Sequence, residues 1–223
     1  MNLSFILPYY KRFEAFKEAF EHNLAVFRTE GFDVVLVLDE PSESNLVRKL
    51  VDESGVRVKI IVNPNDHPWR PPCKAINVGL RHSGRNVCII SPETHIDLAF
   101  PGSLGIHDDF LRWQWLSGFM HYGRKRGEPF RHNHPEGFGM LMTATKNLAA
   151  IGGYDEAWEK YGGEDDDIRN RLTRHGIKRI ISPQIRLSHY DEFDGVTRTK
   201  DHYRGGDHEP IVKNGENWGK DFQ

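Results

Sequence analysis

Four short apolar runs in the first 90 residues constrain the fold of this chain most strongly. The run Val34 to Leu38 (VVLVL) is continuous, which is typical of a strand buried on both faces of a parallel sheet. Similar runs stand at Leu3 to Leu7, Val56 to Val62 and Val87 to Ile90. Between them lie segments with apolar residues at helical spacing, for example from Phe13 to Phe27. The alternation predicts an α/β domain with a mostly parallel central sheet.

The second half of the chain is less regular. We expect a helix in DDFLRWQWLSGFMHYGRKRG (108–127), a strand from Phe138 to Ala144 and a strand region from Ile177 to Ser188. The segment from Asp191 onward reads as a polar tail. Because neither an internal repeat nor a clear linker interrupts the 223 residues, we expect a single domain.

Composition excludes several classes of partner. The formal net charge is −2, and no basic stripe or polybasic run favours nucleic acid or an anionic membrane. Cys73 and Cys88 are too few for a disulfide framework and indicate a reducing compartment. The N-terminus lacks a basic region before its short apolar run, and no stretch is long enough for a membrane span. If the chain is complete, we expect a soluble, cytoplasmic protein.

The most unusual stretch is YGGEDDDIRNRL (161–172), in which four consecutive carboxylates follow two glycines. One interpretation is a capped helix, because acids at its start and arginines near its end both suit the helix dipole. Capping needs only one or two acids, however, and neighbouring carboxylates raise the pKa of one another toward the range of a general base. Glycines before a helix also let a ligand approach the backbone. A functional site and simple capping therefore both stay open on this stretch alone.

A metal site is the second hypothesis. In an extended SPETHID segment, Glu93, His95 and Asp97 would share one face at the binding edge of the sheet. His189 follows the last predicted strand. A carboxylate with two imidazoles suits Mn²⁺ better than Mg²⁺ and leaves positions for phosphate oxygens. The alternative is that both histidines are ordinary polar residues, since a chain with 12 histidines brings pairs together by chance.

Taken together, these segments resemble glycosyltransferases of the GT-A fold. YGGEDDDIRNRL is similar to the Trp-Gly-Gly-Glu-Asp-Asp-Asp run of the β-1,4-galactosyltransferases, GGYDEAWEKY to its lead-in, and KAINVGL to their Lys-x-x-Asn-x-Gly helix. The resemblance implies a Rossmann-like sugar-nucleotide domain and a hexosyltransferase. It also implies a nucleotide-sugar donor, most simply a UDP-sugar, a glycan or glycoconjugate acceptor, inversion at the anomeric carbon and a role in polysaccharide biosynthesis.

The resemblance also implies roles for individual residues. Asp165 would be the base that deprotonates the acceptor hydroxyl, with Glu164 and Asp166 holding acceptor hydroxyls. Tyr161 takes the place of the family's tryptophan and would stack on a sugar ring. Gly162 and Gly163 would bring backbone N–H groups near the donor.

For the metal, Glu93-Thr94-His95 replaces the family's Asp-x-Asp and is closer to the Asp-x-His of polypeptide N-acetylgalactosaminyltransferases. His189 matches the downstream histidine ligand of both groups. The implied cofactor is Mn²⁺, with Mg²⁺ as the alternative.

Donor-binding residues are expected at the carboxyl ends of the first strands and in the proline-rich loop that follows the third. Asp39 would contact the nucleoside beside Pro8 and Tyr9, and Arg70 and Lys74 would meet the diphosphate. A solvated loop is the alternative for the two basic residues. On this interpretation residues 1–100 bind the nucleotide sugar, residues 101–190 bind the acceptor and residues 191–223 form a C-terminal tail.

Three other functions compete. A retaining transferase of the same fold is favoured by the Glu-x-His triplet, whereas the acidic run favours inversion because it supplies a base. A sugar-nucleotide pyrophosphorylase is disfavoured, because ILPYYKR stands where such enzymes carry a glycine-rich phosphate loop. A non-catalytic glycan- or nucleotide-binding module would have little need of Asp165.

Overall fold

The computed structural model describes residues 2–68, 70–98, 106–123, 128, 132–134, 140–158, 162–190, 214 and 218–222. The strands within these ranges are β1 (Leu3–Tyr9), β2 (Phe32–Leu38), β3 (Val58–Val62), β4 (Asn86–Ile90), β5 (His95–Leu98), β6 (Gln114–Gly123), β7 (His132–His134), β8 (Met140–Ala144) and β9 (Lys178–Tyr190). The helices are α1 (Phe13–His22), α2 (Leu24–Phe27), α3 (Ser44–Ser54), α4 (Cys73–Arg81), α5 (Asp108–Arg112), α6 (Thr145–Ala150) and α7 (Glu164–Arg174).

The first half of the chain forms the parallel part of one sheet. Strand order is β3-β2-β1-β4-β8-β6-β9-β5, with β7 pairing β6 at the side. Strands β3, β2, β1 and β4 are parallel neighbours, as the apolar runs predicted. Their carboxyl ends, at Tyr9, Leu38, Val62 and Ile90, therefore meet at one edge of the sheet. This edge, called here the carboxyl edge, is where ligands of open α/β sheets bind.

The second half adds strands in mixed directions. Strand β8 is antiparallel to both β4 and β6, whereas β9 runs parallel to β6 and antiparallel to β5. The helix predicted for residues 108–127 is wrong in most of its described length, because α5 ends at Arg112 and β6 begins at Gln114. The reason is the position of β6 between β8 and β9 in the sheet. Its apolar residues are buried on both faces and do not form the single apolar stripe of an amphipathic helix.

Two apolar cores cover the two faces of the sheet. One joins Phe16 and Phe20 of α1 and Val47 of α3 to the strands. The other joins α4 and α7 to the opposite face, with Ile168 and Leu172 fully buried. Sequence periodicity predicted both residues of α7 as its buried stripe. In the part of the chain that the structure describes, no helix is both long and apolar enough to cross a lipid bilayer.

The helical pattern between Phe13 and Phe27 is interrupted at Asn23, which separates α1 from α2. The buried Asn23 amide donates to the carbonyl of Thr94 at 2.8 Å, and its oxygen accepts from the N–H of Ile96 at 2.7 Å. Asn23, at the break between the two helices, therefore attaches this part of the chain to the sheet, because its side chain satisfies two backbone groups at the start of β5.

Candidate active site

The acidic run begins helix α7 beside the start of α4. Gly162 and Gly163 precede it with φ of 89° and 94°, a left-handed conformation that favours glycine. The four carboxylates that follow differ in environment: Glu164 and Asp165 are half-buried, Asp166 is exposed and Asp167 is buried. The four carboxylates therefore need not share one role.

Asp167 is an anchor of the fold. Arg171, one turn later, donates to its two carboxylate oxygens at 2.7 to 3.2 Å. The same guanidinium donates to the carbonyls of Ile151 and Gly153 at 2.9 and 2.6 Å. Burial raises the pKa of Asp167, although Arg171 opposes the shift. The pair therefore ties α7 to the loop at residues 151–153.

The other acids lie close to the first turn of α4. Burial raises the pKa of the Cys73 thiol well above its usual value, and the charges of Glu164 and Asp165 add to the effect. Burial raises the pKa of the Tyr154 phenol in the same way, and Asp165 again contributes. Asp165 therefore lies near α4, which follows β3 at the carboxyl edge. The predicted sugar platform Tyr161 lies outside the described residues.

Asp39, at the end of β2, is buried with 3% of its surface exposed. Arg70 donates to its two carboxylate oxygens, from Nε at 3.0 Å and from Nη2 at 2.6 Å. The imidazole of His67 lies 3.4 Å from the same carboxylate. The Arg70 side chain keeps 38% of its surface exposed. Asp39 thus orients Arg70, and Arg70 is the more exposed of the two side chains.

The predicted donor contact of Tyr9 needs correction. Tyr9 is 1% exposed, and its phenol donates to Glu43 beneath the surface. Burial and this carboxylate raise its pKa. Its neighbour Tyr10 is the accessible ring: its hydroxyl donates to the carbonyl of His67 at 2.7 Å, and the two rings lie 5.5 Å apart. Pro8 stays half-buried beside them, paired with Val37 of β2.

Two cations that sequence reasoning passed over stand directly after β1. Lys11 and Arg12 have φ of 57° and 66°, a conformation that costs non-glycine residues free energy. This turn sends Lys11 toward the buried Glu40, at 3.9 Å, and Arg12 toward Glu93, at 3.2 Å. The sequence signal was the Lys-Arg pair placed immediately after the first strand. Lys74, which was predicted, pairs with Glu156 at 3.2 Å.

The three predicted metal ligands are not brought together. Glu93 lies in a turn, where it accepts from Ser91 at 2.7 Å and pairs with Arg12, so extended-chain spacing does not apply to it. His95 is 2% exposed and faces α1, with Glu18 at 3.6 Å. His95 pairs with Ser188 across β5 and β9, so His189 points to the other face of the sheet.

Among the residues that the structure describes, no group of three or more His, Cys, Asp or Glu side chains is arranged to hold a metal ion. The residues predicted as ligands therefore do not fit one metal ion as they lie, and we derive no chemical step through a metal. The cations at this edge include Lys11, Arg12, Arg70 and Lys74, each of which is paired with a carboxylate.

The family model described as the N-terminal domain of galactosyltransferase matches residues 120–196, which include the acidic run. A search of curated proteins finds no match to the chain.

Solved structures match over most of the chain. S. aureus TarS covers 85% of it at 16% identity with a TM-score of 0.67, and the chain spans 37% of TarS. The mannosyltransferase PcManGT from Pyrobaculum calidifontis, solved with GDP-Man and Mn²⁺, covers 84% at 14% identity with a TM-score of 0.63, and the chain spans 56% of it. GalNAc-T7, solved with UDP, GalNAc and Mn²⁺, covers 93% at 14% identity with a TM-score of 0.64, and the chain spans 45% of it.

These matches confirm two predictions: the GT-A fold, and the resemblance to glycosyltransferases of the galactosyltransferase and GalNAc-transferase type. The chain covers less than two thirds of each of these three structures. The roles of individual residues stay predictions.

Proposed function

We propose that the chain transfers a sugar from a nucleoside-diphosphate donor to a hydroxyl of a glycan acceptor with inversion, and that Asp165 is the general base. The observation that carries the proposal is the half-buried Asp165 in the first turn of α7, which begins directly after a left-handed glycine pair. A sugar hydroxyl is a poor nucleophile, so a positioned carboxylate must take its proton as the new glycosidic bond forms.

The donor would bind along the carboxyl edge. Tyr10 and the oriented guanidinium of Arg70 suit a nucleoside, because one offers an aromatic face and the other N–H donors. Lys11, Arg12 and Lys74 would balance the charge of the diphosphate as it leaves. A UDP-sugar is the first choice, supported by S. aureus TarS 1-349, which was solved with UDP-GlcNAc and with UDP. GDP-Man in PcManGT makes a GDP-sugar the second choice.

The acceptor would lie against the exposed side of the acidic run. Asp166 and Glu164 offer carboxylate oxygens to sugar hydroxyls, and the glycine pair leaves room for a ring beside the backbone. Residues 101–190 would form this acceptor half and residues 1–100 the donor half.

A requirement for Mn²⁺ or Mg²⁺ stays a prediction. It is supported by two similar structures solved with Mn²⁺. Cytoplasmic polysaccharide biosynthesis is likewise the proposed setting.

The test is a transfer assay on the parent chain, Asp165→Asn and Asp109→Asn, with panels of UDP- and GDP-sugars and of glycan acceptors. Asp109 is an exposed acid on α5, so its variant controls for loss of one charge. We expect Asp165→Asn to lower kcat about a hundredfold or more, with nucleotide binding retained and the control unchanged.

In the same assay, NMR of the product's anomeric proton reports stereochemistry. Retained configuration would replace inversion by the retaining alternative. Equal activity of Asp165→Asn and the parent would contradict the assigned base. Glycan or nucleotide binding without any turnover would favour a binding module.

A further inference from the structure

The last described residues of the chain pack back onto the sheet. Asn214 and Trp218–Phe222 are together called here the C-terminal strap, and Trp218–Phe222 lies along α4. Arg81 donates from Nε to the Trp218 carbonyl at 2.7 Å, and its guanidinium lies 4.7 Å from the Trp218 ring. His82 contacts Asp221 at 2.6 Å. Phe222 packs against the small apolar cluster formed by Val35, Val37, Ala75 and Val78. The strap is thus attached at several points, although the sequence predicted a polar tail here.

The strap bonds to the loop that precedes the acidic run. The amide of Asn214 donates to the carbonyl of Gly152 at 2.9 Å and to that of Tyr154, and its oxygen accepts from the N–H of Glu156 at 3.0 Å. The N–H of Gly219 donates to Oε1 of Glu156 at 2.6 Å. Four hydrogen bonds therefore join the strap to residues 152–156.

Helix α4 bonds to the same loop. Asn77, fully buried, donates to the Tyr154 carbonyl at 2.7 Å and to Oε1 of Glu156 at 2.9 Å, and it accepts from the N–H of Tyr154 at 2.8 Å. The packing leaves no spare room: a Cβ on Gly219 would lie 2.4 Å from the Asn77 carbonyl oxygen, and one on Gly153 would lie 2.9 Å from the Trp218 ring. Helix α4 and the strap therefore donate to the same two acceptors of the loop, the Tyr154 carbonyl and Oε1 of Glu156.

The held loop is bonded in turn to α7. Arg171 donates to the carbonyls of Ile151 and Gly153 and to the carboxylate of Asp167. Asp167 stands two residues after Asp165. A continuous series of hydrogen bonds therefore leads from the strap, through the loop, to the first turn of α7.

We propose that the C-terminal strap is a positioning element, and that Asn214 and Trp218 set the position of α7 and of its first-turn carboxylates. This proposal rests on the proposed function, because its kinetic consequence requires that Asp165 act on an acceptor. A carboxylate that is displaced by about 1 Å from its productive position loses up to about a hundredfold in rate. We expect a smaller effect on nucleotide binding at Tyr10 and Arg70, because the hydrogen bonds of the strap go to residues 152–156 and to α4.

The test uses Asn214→Asp, which keeps the shape of the side chain but replaces the donating amide by an oxygen that repels the carbonyls of Gly152 and Tyr154. We expect kcat to fall about tenfold or more, with KM for the donor and nucleotide affinity within about threefold of the parent. Trp218→Ala is expected to act in the same direction. Trp113→Ala is the matched control. Trp113 directly precedes β6, does not belong to the strap and is 62% exposed.

Hydrogen exchange supplies a readout that is independent of turnover. In Asn214→Asp, the amides of 164–167 are expected to exchange faster, while those of β1 and β2 stay protected. Unchanged exchange in α7 would overturn the proposal, and so would parent-like kcat in both strap variants. If the parent binds no nucleoside diphosphate and transfers no sugar, the proposed function fails, and exchange in α7 alone then decides whether the strap positions the helix.

Discussion

At the scale of single residues, adjacent carboxylates of the acidic run have different environments, although they look alike in the sequence. Asp166 faces solvent, Asp165 is half-buried near α4, and Asp167 is buried against Arg171. The sequence identified the run as unusual and predicted a base within it. It could not distinguish the anchoring carboxylate, because that role depends on carbonyls of a loop some 15 residues earlier in the chain.

A pair of isosteric substitutions tests this division. Asp167→Asn removes the charge that Arg171 contacts and leaves the guanidinium half-buried, so we expect a loss of about 3 kcal/mol in the free energy of unfolding. Asp166→Asn, in the next position but exposed, should change it by about 0.5 kcal/mol or less. Urea unfolding of both variants is the measurement. Equal effects of the two substitutions would contradict an anchoring role for Asp167.

Tyr9 and Tyr10, at the end of β1, also differ in environment although they are adjacent in the sequence. The resemblance and the strand-end rule predicted a donor contact in this segment, but the choice between adjacent tyrosines depends on which of them turns toward the core. Tyr9 points into the core toward Phe16, with ring centroids 5.0 Å apart, while Tyr10 lies by His67. Alternation along a strand therefore decides which ring a ligand can reach.

At the scale of elements, the parallel strands were predictable because each is a continuous apolar run, and the strands of the second half were harder to assign. Strand β6 carries Trp115, Leu116 and Met120 among polar residues, a pattern that single-sequence periodicity assigned to a helix. Strand pairing also separates two of the predicted metal ligands. The register of β5 against β9 places His95 and His189 on opposite faces of the sheet. Register between distant strands is not encoded in local spacing.

The loop between α6 and α7 offers an element-scale prediction. Gly152 and Gly153 both have positive φ, 80° and 70°, but only a Cβ on Gly153 would meet neighbours, at 2.4 Å from the Asn77 amide oxygen. Gly152→Ala should cost about 1 kcal/mol from backbone strain alone. Gly153→Ala should cost about 2 kcal/mol more, because overpacking adds to that strain. Thermal unfolding of the two variants measures the difference, and equal destabilisation would argue against close packing of α4, loop and strap.

At the scale of the whole molecule, the fold gathers charge that the sequence spreads widely. The chain has a net charge of −2, yet Lys11, Arg12, Arg70 and Lys74 all follow strands or begin a helix at the carboxyl edge. The acidic first turn of α7 stands at the same edge beside Cys73. Each of the four cations is paired with a carboxylate of the chain. Under the proposed function, the donor diphosphate would compete for these cations, and the acidic turn would serve the acceptor hydroxyl.

The most direct test of this account is nucleotide binding, since it needs no knowledge of the acceptor. Thermal shifts of the parent would be recorded with UDP, GDP, CDP and dTDP, each with and without Mn²⁺, because a ligand of the native state raises its Tm. Arg70→Gln would be compared with Arg85→Gln, a control whose side chain is 69% exposed at the start of β4. The account predicts that one nucleotide raises the Tm of the parent and of Arg85→Gln, and that Arg70→Gln loses most of the shift. No shift with any nucleotide, or an equal shift in both variants, would contradict a sugar-nucleotide site at the carboxyl edge.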